Sequence, residues 1–194
     1  MTIREARFAR KTLETDIEIV LALDGQGTAD VQTGIGFFDH MLTALTRHSG
    51  MSLVLRCTGD LHVDDHHTVE DCAICLGQAF DKALGDKRGI VRFGDAYAPL
   101  DEALARAVVD LSGRPCAVVN LGLEGVSLGQ MSAQNLTHVI ESFAAAARIT
   151  VHVDVLRGIN DHHRAEAAYK ALALALRQAI TQVGGDIPST KGAL

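Results

Sequence analysis

The sequence predicts an α+β protein made of two ββαβα halves, packed as a pseudo-twofold sandwich of helices and sheet. Three observations carry that reading. The core "DHHTVED" (Asp65 to Asp71) returns as "DHHRAEA" (Asp161 to Ala167), both with His-His-x-x-Glu. The order of strand-like and helical segments is the same around each copy. Apolar positions of the first motif helix, moved by 96 residues (66 to 162), land on apolar positions of the second. A period that long is no solenoid, and it fits a duplication whose halves, 1–88 and 89–194, share one core.

Each element follows from local pattern. "REARFARKTLETDIEIVLALDGQG" alternates weakly and closes in a Gly-rich turn, as two strands do. In "GFFDHMLTALTRHSG", Phe38, Met41, Leu42 and Leu45 fall at helical spacing, and Gly50 ends the run. "MSLVLRCTGD" alternates as a strand. From Asp65 onward, Val69, Ala73, Leu76, Phe80 and Ala83 form one helix face, ended by Gly85. The second half repeats the series. "RFGDAYAPLDEALARAVVDLSGRP" and "CAVVNLGL" are strand-like, "SAQNLTHVIESFAAAAR" is helical, and "ITVHVDVLRG" alternates strictly. "DHHRAEAAYKALALALRQAITQV" is a long amphipathic helix with Ala165, Tyr169, Leu172, Leu176 and Ala179 on one face. "GLEGVSLGQ" reads as a mobile Gly-rich loop, and the tail "GGDIPSTKGAL" as polar and irregular.

Composition narrows the function. The chain has 194 residues, 47% of them hydrophobic and 22% charged, enough for a packed interior. A net charge of -6 without a basic run argues against nucleic acid. The charged start "MTIREARFARK" is no signal peptide, and no window has the length of a membrane helix. Cys57, Cys72, Cys75 and Cys116 are expected to be reduced thiols in a cytoplasm. The Cys72-x-x-Cys75 pair has no second copy and falls on a helix, so it reads as core.

The histidines point to metal. On a helix Glu70 lies one turn from both His66 and His67, but those two imidazoles diverge by about 100° and cannot share one ion. Glu70 can therefore join one of them, while the other serves a second site. His162, His163 and Glu166 repeat the arrangement. His40 lies 26 residues before His66 and His138 lies 24 before His162, so each half offers one more imidazole from its preceding helix. Three imidazoles and a carboxylate per ion, without thiolate, suit Mn, Fe or Zn and leave room for substrate. Two ions are expected, each drawing ligands from different helices and from different chains. Asp65 and Asp161 are expected to cap their helices or orient the histidines. A single His-His pair would read as polar surface; two in register do not. His48, His62 and His152 lack such partners.

"GFFDHML", "DDHHTVED", "RFGDAYAPLDEA", "DLSGRP", "DHHRAEAAYKALALALRQA" and "IPSTKG" together resemble the imidazoleglycerol-phosphate dehydratase family, over about Arg4 to Gly192. The resemblance implies a lyase of histidine biosynthesis that converts imidazole glycerol phosphate to imidazole acetol phosphate. It also implies two Mn2+ per active site, with Zn2+ or Fe2+ as the lesser alternatives. A homo-oligomer of 24 subunits follows, with active sites at subunit contacts. By the same resemblance, the metal ligands are His40, His66, His67, Glu70, His138, His162, His163 and Glu166. Arg92, Arg114, Ser189 and Lys191 bind phosphate, and Glu14 is the catalytic acid/base. Cys116 after "GRP" and the helix end "TRHSGMS" depart from the family pattern. Two rival readings use the same ligands: a dinuclear phosphohydrolase, and a metal-storage protein without turnover. Against the second, the motif order is not the Glu-x-x-His of ferritin-like bundles, and the strands argue against a bundle.

Overall fold

The computed structural model describes residues 4–194. In the first half, β1 (Glu5–Lys11), β2 (Thr15–Ala22) and β3 (Ala29–Gln32) lead to α1 (Gly36–Ser49), β4 (Ser52–Gly59) and α2 (His66–Leu84). In the second, β5 (Phe93–Leu100), β6 (Ala103–Asp110) and β7 (Cys116–Asn120) come first. The two-residue strands β8 (Ser127–Leu128) and β9 (Met131–Ser132) follow, then α3 (Ala133–Ala147), β10 (Thr150–Arg157) and α4 (Asp161–Ile180).

The sheets share one topology. Strand order is β1-β2-β4-β3 in the first and β5-β6-β10-β7 in the second. β1 and β2 pair antiparallel, as do β2 and β4, while β3 runs parallel to β4. β7 runs parallel to β10 in the same way. Parallel neighbours need a crossover, and α1 and α3 supply it. Each four-stranded sheet therefore has one strand more than the five-element order provides. In the first half that strand, Ala29–Gln32, has four residues and one large apolar side chain, too little for an alternating signal. The Gly-rich segment around residue 125 is pinned by the β8–β9 hairpin.

Alternation places one face of each sheet on the core. In β2 the buried residues are Thr15, Ile17, Ile19 and Leu21, with charged Asp16 and Glu18 between them. The apolar positions singled out on the helices, from Phe38 to Ala83 and from Ala165 to Ala179, are all buried. Cys72 and Cys75 sit in this core, Cys116 is exposed, and all four cysteines are free. His152 lies on the solvent face of β10.

The halves meet helix to helix, and the pairing crosses between them. α2 packs on α3, and α1 packs on α4. Gly77 of α2 makes the first crossing close: a Cβ there would stand 2.6 Å from the Phe143 carbonyl oxygen and 2.7 Å from Ala146 Cβ. Tyr169 of α4, fully buried, satisfies its hydroxyl by donating to the Leu136 carbonyl of α3 at 3.0 Å. Helices of opposite halves thus lie side by side with their histidine-bearing turns in contact.

Candidate metal centre

The crossed packing sorts the histidines into two sets. His40 of α1 joins His162 and Glu166 of α4: both Nε2 atoms approach Glu166 Oε2, at 3.0 and 3.1 Å. His138 of α3 joins His66 and Glu70 of α2, with His138 Nε2 3.0 Å from Glu70 Oε1 and His66 Nε2 3.8 Å from Glu70 Oε2. The His66 and His138 rings stack at 4.9 Å. Within each set the three donor atoms lie within 4.8 Å of one another. The upstream histidine therefore completes the set of the opposite half, a pairing that sequence spacing does not carry.

His67 and His163 turn away. His67 Nδ1 is 2.9 Å from Asp60 Oδ2, and its Nε2 faces Glu14 Oε1 at 3.9 Å. His163 Nδ1 is 2.7 Å from Glu102 Oε2, and its Nε2 faces Asp101 Oδ2 at 3.9 Å. A carboxylate on Nδ1 fixes the ring and leaves Nε2 to act outward. Each set within the chain thus holds two imidazoles and one carboxylate, one imidazole short of the expected complement.

Side-chain acceptors for the first N–H groups of the motif helices lie one residue before the expected caps; at α4 this is the N-cap itself, whereas the N-cap of α2, Asp65, makes no side-chain cap bond. Asp64 accepts from His66 N at 2.8 Å, and Asn160 accepts from His162 N at 2.9 Å. Asp65 instead accepts from Ser132 N and Oγ at the start of α3. Asp161 holds the Glu124–Gly125 backbone at 3.0 and 2.6 Å and meets Arg164. Both acids are spent on loop anchoring because their side chains point back from the helix start toward the neighbouring segment.

Local charge shapes the donors. Burial would raise the Glu166 carboxyl, but hydrogen bonds from Lys170 at 2.7 Å and from His40 outweigh it and bring it to about 2. Glu102 also falls to about 2, through the backbone N–H of Asn160, then His163, then the N–H of Ile159. Hydrogen bonding to Asp60 raises His67, and hydrogen bonding to Glu102 raises His163. Asp60, Glu102 and Lys170 escaped sequence reasoning. Lys170 had a signal, one turn from Glu166 on the same helix; the other two reach their histidines only through the fold.

The donor chemistry fits a divalent metal: imidazole nitrogens and carboxylate oxygens converge, without thiolate.

The expected phosphate residues gather elsewhere. Arg92 donates to Asp110 through Nε at 2.7 Å and Nη2 at 3.1 Å, and to the Pro188 carbonyl through Nη1 at 2.8 Å. Arg114, largely exposed, comes within 3.9 Å of the same Asp110. Ser189 Oγ accepts from Lys191 N at 3.2 Å. This basic group lies at the far end of α4, where Arg92 N donates to the Ala179 carbonyl. From Glu166 to Ala179 a helix rises about 20 Å. A small phosphate ester cannot bridge that span within one chain.

Fold and site define a class: a duplicated α+β protein presenting matched imidazole–carboxylate sets where helices of opposite halves meet. Known proteins narrow the class. The profile of the family described as imidazoleglycerol-phosphate dehydratase matches residues 33–176. The enzyme of that name from Candida glabrata is 58% identical, covering 95% of this chain and 97% of the relative. The one from Neurospora crassa is 56% identical, covering 98% and 96%. The crystal structure of the Staphylococcus aureus N315 enzyme has a TM-score of 0.83 at 38% identity, covering 92% of this chain and 99% of that one. The Pyrococcus furiosus structure, in complex with (S)-C348, has the same TM-score at 35% identity, covering 96% and 99%. The chain belongs to the imidazoleglycerol-phosphate dehydratase family.

Proposed function

We propose that the chain performs its family's dehydration with two metal ions, Mn2+ in preference to Zn2+ or Fe2+. One would be held by His40, His162 and Glu166, the other by His66, Glu70 and His138. The activity is that of a hydro-lyase of histidine biosynthesis: water leaves imidazole glycerol phosphate and imidazole acetol phosphate forms. The observation that carries the metal reading is the pair of matched donor sets, each built from both halves of the duplication.

The hydroxyl to be lost sits on the carbon beside the imidazole ring, and the hydrogen to be removed is on the next carbon, with no carbonyl beside it, so it is barely acidic. A divalent ion held by these residues would supply the Lewis acidity that lets the imidazole ring assist loss of that hydroxyl and acidify the neighbouring C–H. Glu14 takes the proton. The hydroxyl beside the ring departs with a proton as water, and the resulting enol relaxes to the ketone on the middle carbon. Arg92, Arg114, Ser189 and Lys191 hold the phosphate, Arg by its planar fork and Lys by a compact charge, so that binding fixes the reacting carbon. Asp110 keeps the Arg92 guanidinium in one orientation.

The roughly 20 Å between the Glu166 set and the basic group supports active sites assembled from several copies. His67 and His163, with Nε2 turned outward, would complete the sets of neighbouring copies, and Glu14 would travel with His67 into such a site. Phe93, Tyr97 and Val118 are exposed on the outer face of the second sheet and supply apolar area for self-association. The assembly we favour is the 24-subunit homo-oligomer, working in the cytoplasm, where the free cysteines stay reduced. The two halves divide at 88/89.

The deciding experiment gives manganese-loaded protein imidazole glycerol phosphate and follows the product. A phosphorylated ketone supports the reading. Release of inorganic phosphate would make the protein a phosphohydrolase, and metal binding without turnover would make it a storage protein.

A further inference from the structure

Asp71 is a buried carboxylate beside a proposed ligand, yet it belongs to neither donor set. It is 7% exposed and faces the sheet. Thr15, 3% exposed, donates its hydroxyl to Asp71 Oδ2 at 2.5 Å. Arg10, at the end of β1, forms an ion pair with Asp71 Oδ1. Between Arg10 and Thr15 lies the β1–β2 turn, and Glu14 is in it. Thr12 Oγ1 accepts from the backbone N–H of Glu14 at 3.1 Å and of Thr15 at 3.0 Å, closing that turn. His67, which faces Glu14, is one helical turn before Asp71 on α2. Contacts therefore run unbroken from α2 through Asp71, Thr15 and Thr12 to Glu14.

The second half shows what the fold needs without this device. Arg10 pairs with Ile17, and Ala98 pairs with Ala105 at the matching place in the second sheet. The counterparts of Arg10, Thr15 and Asp71 are Ala98, Ala103 and Ala167, all buried. Alanine closes that space there. Burying a carboxylate at the same place costs desolvation that an apolar residue avoids, so packing alone does not call for Asp71.

We propose that Asp71, through Thr15 and with Arg10, fixes the Glu14 turn against α2 and is a positioning residue for the proton transfer. This rests on the reading of Glu14 above. A loosened turn would carry its carboxylate out of line with the reacting carbon, and small misplacements of that kind cost up to about a hundredfold.

The test is a mutant cycle in manganese-loaded full-length protein, with kcat, KM and bound metal read for each variant. Asp71→Asn and Thr15→Val are expected to lower kcat by roughly 10- to 100-fold while KM and bound metal move less than about threefold. Thr15→Ser, which keeps the hydroxyl, is expected to recover most of the rate. Adding Asp71→Asn to Glu14→Gln is expected to lower kcat no further, because the group being positioned is already gone. The proposal falls if Asp71→Asn costs as much in the Glu14→Gln background as alone, or if the lost rate only follows lost metal. It also falls if Asp71→Asn and Thr15→Val both turn over normally while Glu14→Gln is inactive; that result leaves the Glu14 reading standing. A normally active Glu14→Gln overturns that reading and this one with it. Should Asp71→Asn fail to fold, Thr15→Val against Thr15→Ser decides by the same criteria.

Discussion

The two halves repeat their donor residues but not the residues that support them. His66, Glu70 and His138 match His162, Glu166 and His40 by position and by chemistry. Around them the correspondence lapses. His66 Nδ1 rests on Asn135 at 3.3 Å, whereas the residue in that place against His162 is Phe37, edge-on at 5.1 Å. Glu166 is bonded to Lys170; the same place beside Glu70 holds Ile74. His67 is held by Asp60 from the strand–helix loop, and His163 by Glu102 from a hairpin turn. A metal accepts few donor types, so the ligands of a duplicated site stay alike. Orientation and charge can be supplied in many ways, and there the halves have parted.

That contrast can be broken or sharpened in several places. The largest effect is expected at Glu14, whose positional counterpart Glu102 is instead bonded to His163 Nδ1. Glu14→Gln should keep both metals and lose about 10²–10⁴-fold in kcat, checked by steady-state kinetics beside metal analysis. Next come the orienting carboxylates. Asp60→Asn and Glu102→Gln should each weaken manganese binding by about 10- to 100-fold, measured by titration of chelator-treated protein. Equal losses would make the two supports equivalent despite their different origins. At the helix crossing, Gly77→Ala should destabilise the protein by about 1–3 kcal/mol, because the methyl meets the α3 backbone; chemical denaturation reads it. The smallest effect concerns acid. The folded Glu102 carboxyl lies at about 2, below its ordinary 4.5, so the stability it contributes is present above about pH 4.5 and lost toward pH 2. In metal-free protein the Tm gap between wild type and Glu102→Gln should shrink over that interval, and a constant gap would assign the difference to packing.

What could be read in the sequence follows from how local each signal is. The His-His-x-x-Glu motifs and the buried helix faces repeat within a few residues, so helical periodicity exposes them. β3 is too short and too near the edge to alternate visibly. His40 meets Glu166 across 126 residues, and His67 meets Asp60 around a loop; neither spacing carries a pattern. The role of Glu14 came from resemblance, and the anchor that singles out its turn becomes visible only when Asp71 is seen facing Thr15. The phosphate role expected of the basic group rests on the resemblance alone, and its distance from Glu166 depends on the length and direction of α4.

The central claim is that each donor set holds its own ion and that dehydration needs both. The direct measurement is bound manganese per chain, together with kcat, in wild type, Glu70→Ala and Glu166→Ala. Two ions per chain in wild type, one in either variant, and turnover lower by roughly 10²–10³-fold in both is the predicted result. A single ion per chain in fully active wild type, or full turnover in a variant that has lost one, would contradict it.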